Sequence, residues 1–255
     1  QIGEKLKLYK YVPFSDGSKN ILSNCTMKFS SAEEFNDPFD CVVSYDVEKS
    51  LEYALSRTDL LENAKMVFQG NVADEGTMIE NLKSSLVSGD FTKSMTSSFG
   101  ICSLSKTFEN ILMWSHYADN HKGFVVEFET PTNFAEFLET PEYLLIAWAV
   151  QYKSDMPKVT MGKADGFEAL AEQFLVKAKD WEYEQEHRCL AHIAGPGIHS
   201  FYPKLITGVI AGAKMSDADL NELQLLVKSF ERKHDVSLSF KRAVKAKEQY
   251  RLEFV

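Results

Sequence analysis

The chain has 255 residues, 44% of them apolar, enough for a sizeable core in one large domain or two small ones and a composition that argues against disorder. No apolar run approaches the roughly 18 residues needed to cross a bilayer, and Gln1 to Leu8 lacks the apolar core of a signal peptide, so a cytoplasmic protein with no membrane partner is expected. The formal net charge of -9 argues against a broad nucleic-acid surface, and a solvated face accounts for the local basic cluster Lys241, Arg242, Lys245, Lys247 and Arg251.

Leu8 to Phe14 alternates and carries aromatics, which predicts a first strand stopped by Pro13. A short helix or turn around Asn20 to Asn24 and a strand from Thr26 to Ser30 follow. Ser31 then caps a short helix with Glu34 answering three residues later, and Asn36-Asp37-Pro38 ends it. From Ser50 to about Lys93 the spacing of Leu51, Leu55, Leu60, Leu61, Ala64, Val67 and Phe68 predicts a mostly helical insertion. Phe99 to Ser105 returns to strand character. Asn110 to Tyr117 begins as a helix and runs into a polar turn, and Phe124 to Glu129 leaves that turn as a strand.

Tyr143 to Tyr152 is a further strand, and Phe167 to Trp181 an amphipathic helix presenting Leu170, Phe174, Leu175 and Ala178. A strand from about Glu184 to Ile193 is broken by Gly195-Pro196-Gly197. Strand Ile206 to Ala211, a helix from Asp217 to His234 capped by Ser216 or Asp217, and strand Val236 to Ala243 close the chain. Strands and helices mix irregularly instead of forming βαβ units, which points to a single α+β domain over residues 1–255 with a helical insertion near 50–93.

Cys25, Cys41, Cys102 and Cys189 are scattered without a close pair, against a zinc ribbon, a redox dithiol or a disulfide framework. The densest chemistry lies in Trp114-Ser115-His116-Tyr117-Ala118-Asp119-Asn120-His121-Lys122-Gly123. His116 and His121 stand five apart, which misses the helical spacing of a paired zinc site, so no metal is expected. His116 suits a general base or a ligand contact, Tyr117 can stack on a flat ring and donate a hydrogen bond, and Trp114 reads as core.

The second dense segment is Trp181 to Arg188. On a strand, alternation places Glu182, Glu184, Glu186 and Arg188 on one face, where three carboxylates repel unless a cation, a proton or a hydroxyl-rich ligand is present. Asn36 stands in an ordinary turn former that a ligand contact can also use, and Tyr9, Lys10 and Tyr11 are either strand residues or a basic and aromatic clamp on a phosphate or ribose. No glycine-rich phosphate loop, nucleophile elbow or kinase signature appears.

Taken in order, LYKY, FSSAEEFNDPFD, CSLS with LMWSHYADNHKGFVVEF, and WEYEQEHR resemble a bacterial and phage family known as DUF2971, a domain of unknown function, over about Leu8 to Leu252. At the level of fold, an aromatic and basic first strand, a short helix and a late Glu-x-Glu strand look like the ADP-ribosyltransferase superfamily. That resemblance implies a mixed, mostly antiparallel split sheet and NAD as cofactor. It gives Lys10 or Tyr11 the first-strand place, Tyr117 or His116 a stacking place and Glu186 the catalytic role, with Glu184 before it to activate or orient an acceptor; Tyr9, Asn36 and Arg188 are further candidate ligand contacts read from the residues themselves.

Two departures stand out: the first strand has Lys10 where that superfamily has His or Arg, and the Ser-Thr-Ser motif is absent. The expectation is a protein that binds NAD or a related nucleotide, an ADP-ribosyltransferase or NAD glycohydrolase of phage defence or a toxin system. A metal-dependent nuclease or phosphoesterase, and a non-catalytic ligand-sensing module, are the alternatives.

Overall fold

A computed structural model describes residues 5–57, 59, 75–132, 145–162, 167–191 and 193–255. Its strands are β1 (Lys5–Val12), β2 (Thr26–Phe29), β3 (Ser44–Tyr45), β4 (Gly100–Ser105), β5 (Phe124–Pro131), β6 (Trp148–Ala149) and β7 (Gln151–Lys153). They continue with β8 (Lys158–Val159), β9 (Val176–Ala178), β10 (Glu186–Ala191), β11 (Gly197–Ser200), β12 (Ile206–Ala211), β13 (Ser239–Lys245) and β14 (Leu252–Phe254). The helices are α1 (Asp16–Ser23), α2 (Val47–Ser56), α3 (Glu75–Ser88), α4 (Asp90–Ser97), α5 (Ile111–Tyr117), α6 (Phe167–Phe174) and α7 (Asp217–His234). Among the described residues no helix is long and apolar enough to cross a membrane.

The architecture is α+β, and the chain divides into two compact units: Gln1–Ser30, Gly100–Val150 and Asp180–Val255 form the first, Ser31–Phe99 and Gln151–Lys179 the second. The first unit holds a mostly antiparallel sheet in the order β14-β13-β12-β5-β1-β4-β10-β6, with β12 and β13 parallel. This order is unbroken, which corrects the expected split. The nearest approach to one is the β1–β4 junction, where only Tyr9↔Ser105 is in register, whereas β1 pairs with β5 along its whole length.

Alternation along the strands sorts the side chains onto two faces. Leu8, Val12, Leu104, Phe124 and Phe128 face α1 and α7, which contribute Ile21, Leu22, Leu223, Val227 and Phe230. Each such fully buried side chain contributes about 1.5–3 kcal/mol of transfer free energy. Tyr9, Tyr11, Val125 and Ile210 form the other face, covered by Met113 and Trp114 of α5.

The helices begin and end where local chemistry says they should. Ser15 caps α1 by accepting from the Ser18 N–H, and Ser216, not Asp217, caps α7 by accepting from the Asp219 N–H. Asp217 and Asp219 in the first turn of α7, and Arg232, Lys233 and His234 in its last, oppose the helix dipole. Asp235, at φ 52, takes the left-handed conformation that ends it.

In the second unit, the expected Ser31 and Glu34 start is present as a single 3-10 turn, Ala32–Glu34, with the Glu34 carboxylate accepting from the Ser31 N–H. The helical block is described as α2, α3 and α4; Leu60, Leu61, Ala64, Val67 and Phe68 lie outside the described residues. The helix expected from Phe167 to Trp181 is corrected: α6 stops at Phe174 and β9 follows, paired in parallel with β7. Two tertiary links explain the stop. Lys177 is buried at 3.4 Å from Asp40, and Gln173 donates to the Cys41 carbonyl, so strand pairing and a buried ion pair override helical periodicity.

Candidate functional site

The two chemically dense segments of the sequence meet in the first unit. Asn110 starts α5 by accepting from the Leu112 and Met113 N–H groups at 2.8 and 3.4 Å, while its amide donates to the Tyr183 carbonyl at 3.3 Å. Trp114 is fully buried and its Nε1 donates to the Phe108 carbonyl at 2.7 Å, so it is core. One turn later, Tyr117 reaches across to Glu184: its hydroxyl donates to Oε1 at 2.6 Å. The Tyr183 hydroxyl and His116 Nδ1 share a hydrogen bond at 3.2 Å.

Beyond Tyr117 the chain turns through three successive left-handed residues, Asp119, Asn120 and His121, at φ 45, 53 and 70. Asn, Asp and His are the residue types that tolerate this region best. The turn is tied at both sides: the His121 N–H donates to the Trp114 carbonyl at 3.1 Å, and the His121 carbonyl accepts from the Lys214 N–H at 2.9 Å.

The acidic segment differs from its expected form. Residues Lys179–Glu184 make a 3-10 helix and the strand begins only at Glu186, so Glu182 is exposed and leaves the group expected on one strand face. Gln185, at φ 46, links turn to strand and keeps Glu184 and Glu186 both pointing inward. Glu184, Glu186 and Arg188 are 3%, 4% and 0% exposed. The Glu186 carboxylate accepts from Arg188 Nε at 2.8 Å and from a terminal guanidinium nitrogen at 3.1 Å, a two-point fork. Glu184 is held by its main chain as well, since Ser105 Oγ donates to its carbonyl at 2.6 Å.

Residues 113–189 match the model of the DUF2971 family, described as a protein of unknown function. This match contains both partners of the Tyr117–Glu184 hydrogen bond and both of the Glu186–Arg188 pair. No curated protein and no solved structure matches the chain.

Around the pairing of Tyr117 with Glu184 lies a partly exposed aromatic surface. The His116 ring lies 6.0, 6.5 and 6.3 Å from those of Tyr117, Trp181 and Tyr183, and Trp181 lies 6.0 Å from Tyr183. Trp181, Tyr183 and Ser105 were not singled out from sequence, although the aromatic pair two residues apart beside Glu184 was the available signal.

Other expected site residues sort differently. Tyr9 and Tyr11 lie on the same sheet face as Glu186, through the register Tyr9↔Ser105↔Glu186, but their hydroxyls donate to Glu127 at 3.1 Å and to the Thr107 carbonyl at 3.0 Å. Burial, with nearby carboxylates second, pushes the Tyr9 phenol far above its ordinary value; burial does the same to Tyr11. Lys10 points to the opposite face, and its Nζ donates to the Ser103 carbonyl at 2.9 Å. Asn36 belongs to the second unit, where it lines a cavity of about 440 Å³ with Asp37, Asp40 and Lys93. Asp37 accepts from the Phe39 N–H at 2.9 Å, the turn bond that the Asn-Asp-Pro run implies.

Cys102 and Cys189 are buried directly across from one another, and burial raises both thiols, away from thiolate chemistry. Among the described residues no three or more His, Cys, Asp or Glu side chains are grouped to hold a metal ion.

Glu127 stands opposite Tyr9. Burial works against its charge, yet hydrogen bonds from Thr207 at 2.7 Å, Lys7 at 3.1 Å and Tyr9 at 3.1 Å outweigh burial and hold the carboxyl below its ordinary range. A carboxyl so lowered contributes stability that is fully present above its unfolded-state value and is lost as pH falls through the folded value. Urea midpoints followed from about pH 6 to about pH 3 should therefore fall less steeply in Glu127→Gln than in the wild type. Parallel curves would remove Glu127 from the acid response.

Proposed function

We propose that the first unit binds NAD, or a nucleotide of the same kind, on the surface formed by His116, Tyr117, Trp181 and Tyr183, and acts on it as an ADP-ribosyltransferase-like enzyme. The observation that carries this reading is the 2.6 Å hydrogen bond from Tyr117 to Glu184, which sets a fixed, buried carboxylate beside an aromatic surface. A flat ring stacks on such a surface, and a carboxylate next to it suits a ribose hydroxyl.

In this reading the ribose–nicotinamide bond breaks heterolytically. Its electron pair leaves with nicotinamide, which departs neutral, and positive charge develops on the ribose. A fixed carboxylate stabilises that charge, and a hydroxyl of water or of an acceptor adds to the ribose and gives up its proton to solvent. Glu184 takes the electrostatic role, because its carboxylate accepts from Tyr117 beside the aromatic surface, whereas the Arg188 fork grips Glu186 at the strand start. Sequence alone had favoured Glu186.

Nicotinamide release from NAD by the purified protein, followed by chromatography, tests this. Glu184→Gln should cut turnover by about 10²-fold or more with the melting temperature retained. Glu186→Gln should lower stability as well as turnover. A wild type that neither releases nicotinamide nor changes its tryptophan fluorescence on NAD addition would sink the proposal.

A further inference from the structure

On the sheet face opposite Glu184, a cavity of about 410 Å³ lies between β1, α1, β2 and Ile198 of β11. That volume falls within the roughly 300–1,000 Å³ typical of small-molecule sites. Its polar lining comes from Lys10, Ser18, Asn20, Thr26, Lys28 and Ser30, and no Asp or Glu lines it. The nearest acid in sequence, Asp16, is turned outward and pairs with Lys19 at 3.3 Å. Ile21 and Met27 supply an apolar wall.

Lys10 is the decisive group. It is half-buried, and its ammonium donates to a neutral partner, the Ser103 carbonyl at 2.9 Å. Among the described residues no carboxylate lies within salt-bridge distance of it. A partly desolvated cation is costly unless an anion accompanies it, as at Lys19, which meets Glu222 at 2.8 Å. A phosphate would give Lys10 its counter-charge and accept from the hydroxyls of Ser18, Thr26 and Ser30. The volume left over and the apolar wall suit an organic group carried by that phosphate.

We infer that this cavity is a binding site for a small phosphate ester. The inference does not rest on the proposed reaction at Glu184, since the two sets of residues occupy opposite faces of the sheet.

Phenyl phosphate serves as the probe, with phenol and inorganic phosphate as its two halves, in isothermal titration calorimetry on the whole chain. The wild type should bind phenyl phosphate with a dissociation constant tighter than about 1 mM, and at least about 10-fold more tightly than either half. Lys10→Met should weaken binding by about 10-fold or more, and Lys28→Ala, at an exposed position, by several-fold. Ser18→Glu puts a carboxylate in the cavity while suiting the first turn of α1, so it keeps the fold and should abolish binding. Glu184→Gln should leave binding as it is. The inference is overturned if the wild type shows no heat at roughly 5 mM probe, if inorganic phosphate binds as tightly as the ester, if Ser18→Glu and Lys28→Ala bind like the wild type, or if Glu184→Gln removes binding.

Discussion

Replacing Arg188 with methionine should lower the unfolding free energy by about 3–5 kcal/mol, the cost of leaving a buried carboxylate without its partner. Arg188 and Glu186 are 0% and 4% exposed, so water cannot take over the lost charge compensation, and the two-point fork leaves Glu186 no second guanidinium geometry to fall back on. The pair itself adds less than this loss suggests, because desolvating two charges consumes most of their attraction. The double variant Arg188→Met with Glu186→Leu should therefore recover much of the stability lost by Arg188→Met alone. Urea unfolding of the two variants decides it: a single-variant loss below about 1 kcal/mol, or a double variant no better than the single, would mean the pair is not buried as described.

Gly123→Ala is expected to be as damaging, for a reason of space. A Cβ on Gly123 would stand 2.1 Å from the Val12 carbonyl and 3.0 Å from the Ala118 carbonyl, so main chain, not a flexible side chain, must move. Val12 is the last residue of β1 and pairs with Phe124, so any retreat breaks the end of the longest ladder in the sheet. The cost should reach or exceed the about 3 kcal/mol at the top of the usual overpacking range. Urea or thermal unfolding gives the number, and a variant within about 1 kcal/mol of the wild type would show that the turn relaxes freely.

Periodicity and caps carried much of the fold. α7 is found over Asp217–His234 as expected because its cap, its charged ends and its apolar stripe all agree. α5 and β5 follow for the same reason, with Asn110 as a local start signal. Phe167 to Trp181 failed as one helix because the residues that end it, Lys177 and the partner strand β7, act through contacts distant in sequence. β14 and β11 were not anticipated; both are short edge elements whose pairing is set by neighbours more than by their own composition.

The site was half legible for a similar reason. The density of polar and aromatic groups marked 114–123 and 181–188, and Tyr117 with Glu184 joins them. That Glu184 and Glu186 both turn inward, and that Lys10 faces away from both, depends on a 3-10 turn and on strand register, neither of which leaves a composition signal.

The left-handed run Asp119–Asn120–His121 fixes one side of the aromatic surface. Its carbonyls and N–H groups are tied into α5 and to Lys214 just beyond β12, so the His116 and Tyr117 side is an anvil. Trp181 and Tyr183 stand on the short 3-10 turn Lys179–Glu184, which is tied by the Asn110 amide on the Tyr183 carbonyl and by Ser105 Oγ on the Glu184 carbonyl. The spacing of the two aromatic sides is therefore set by main-chain hydrogen bonds on each of them, and not by the ring contacts alone.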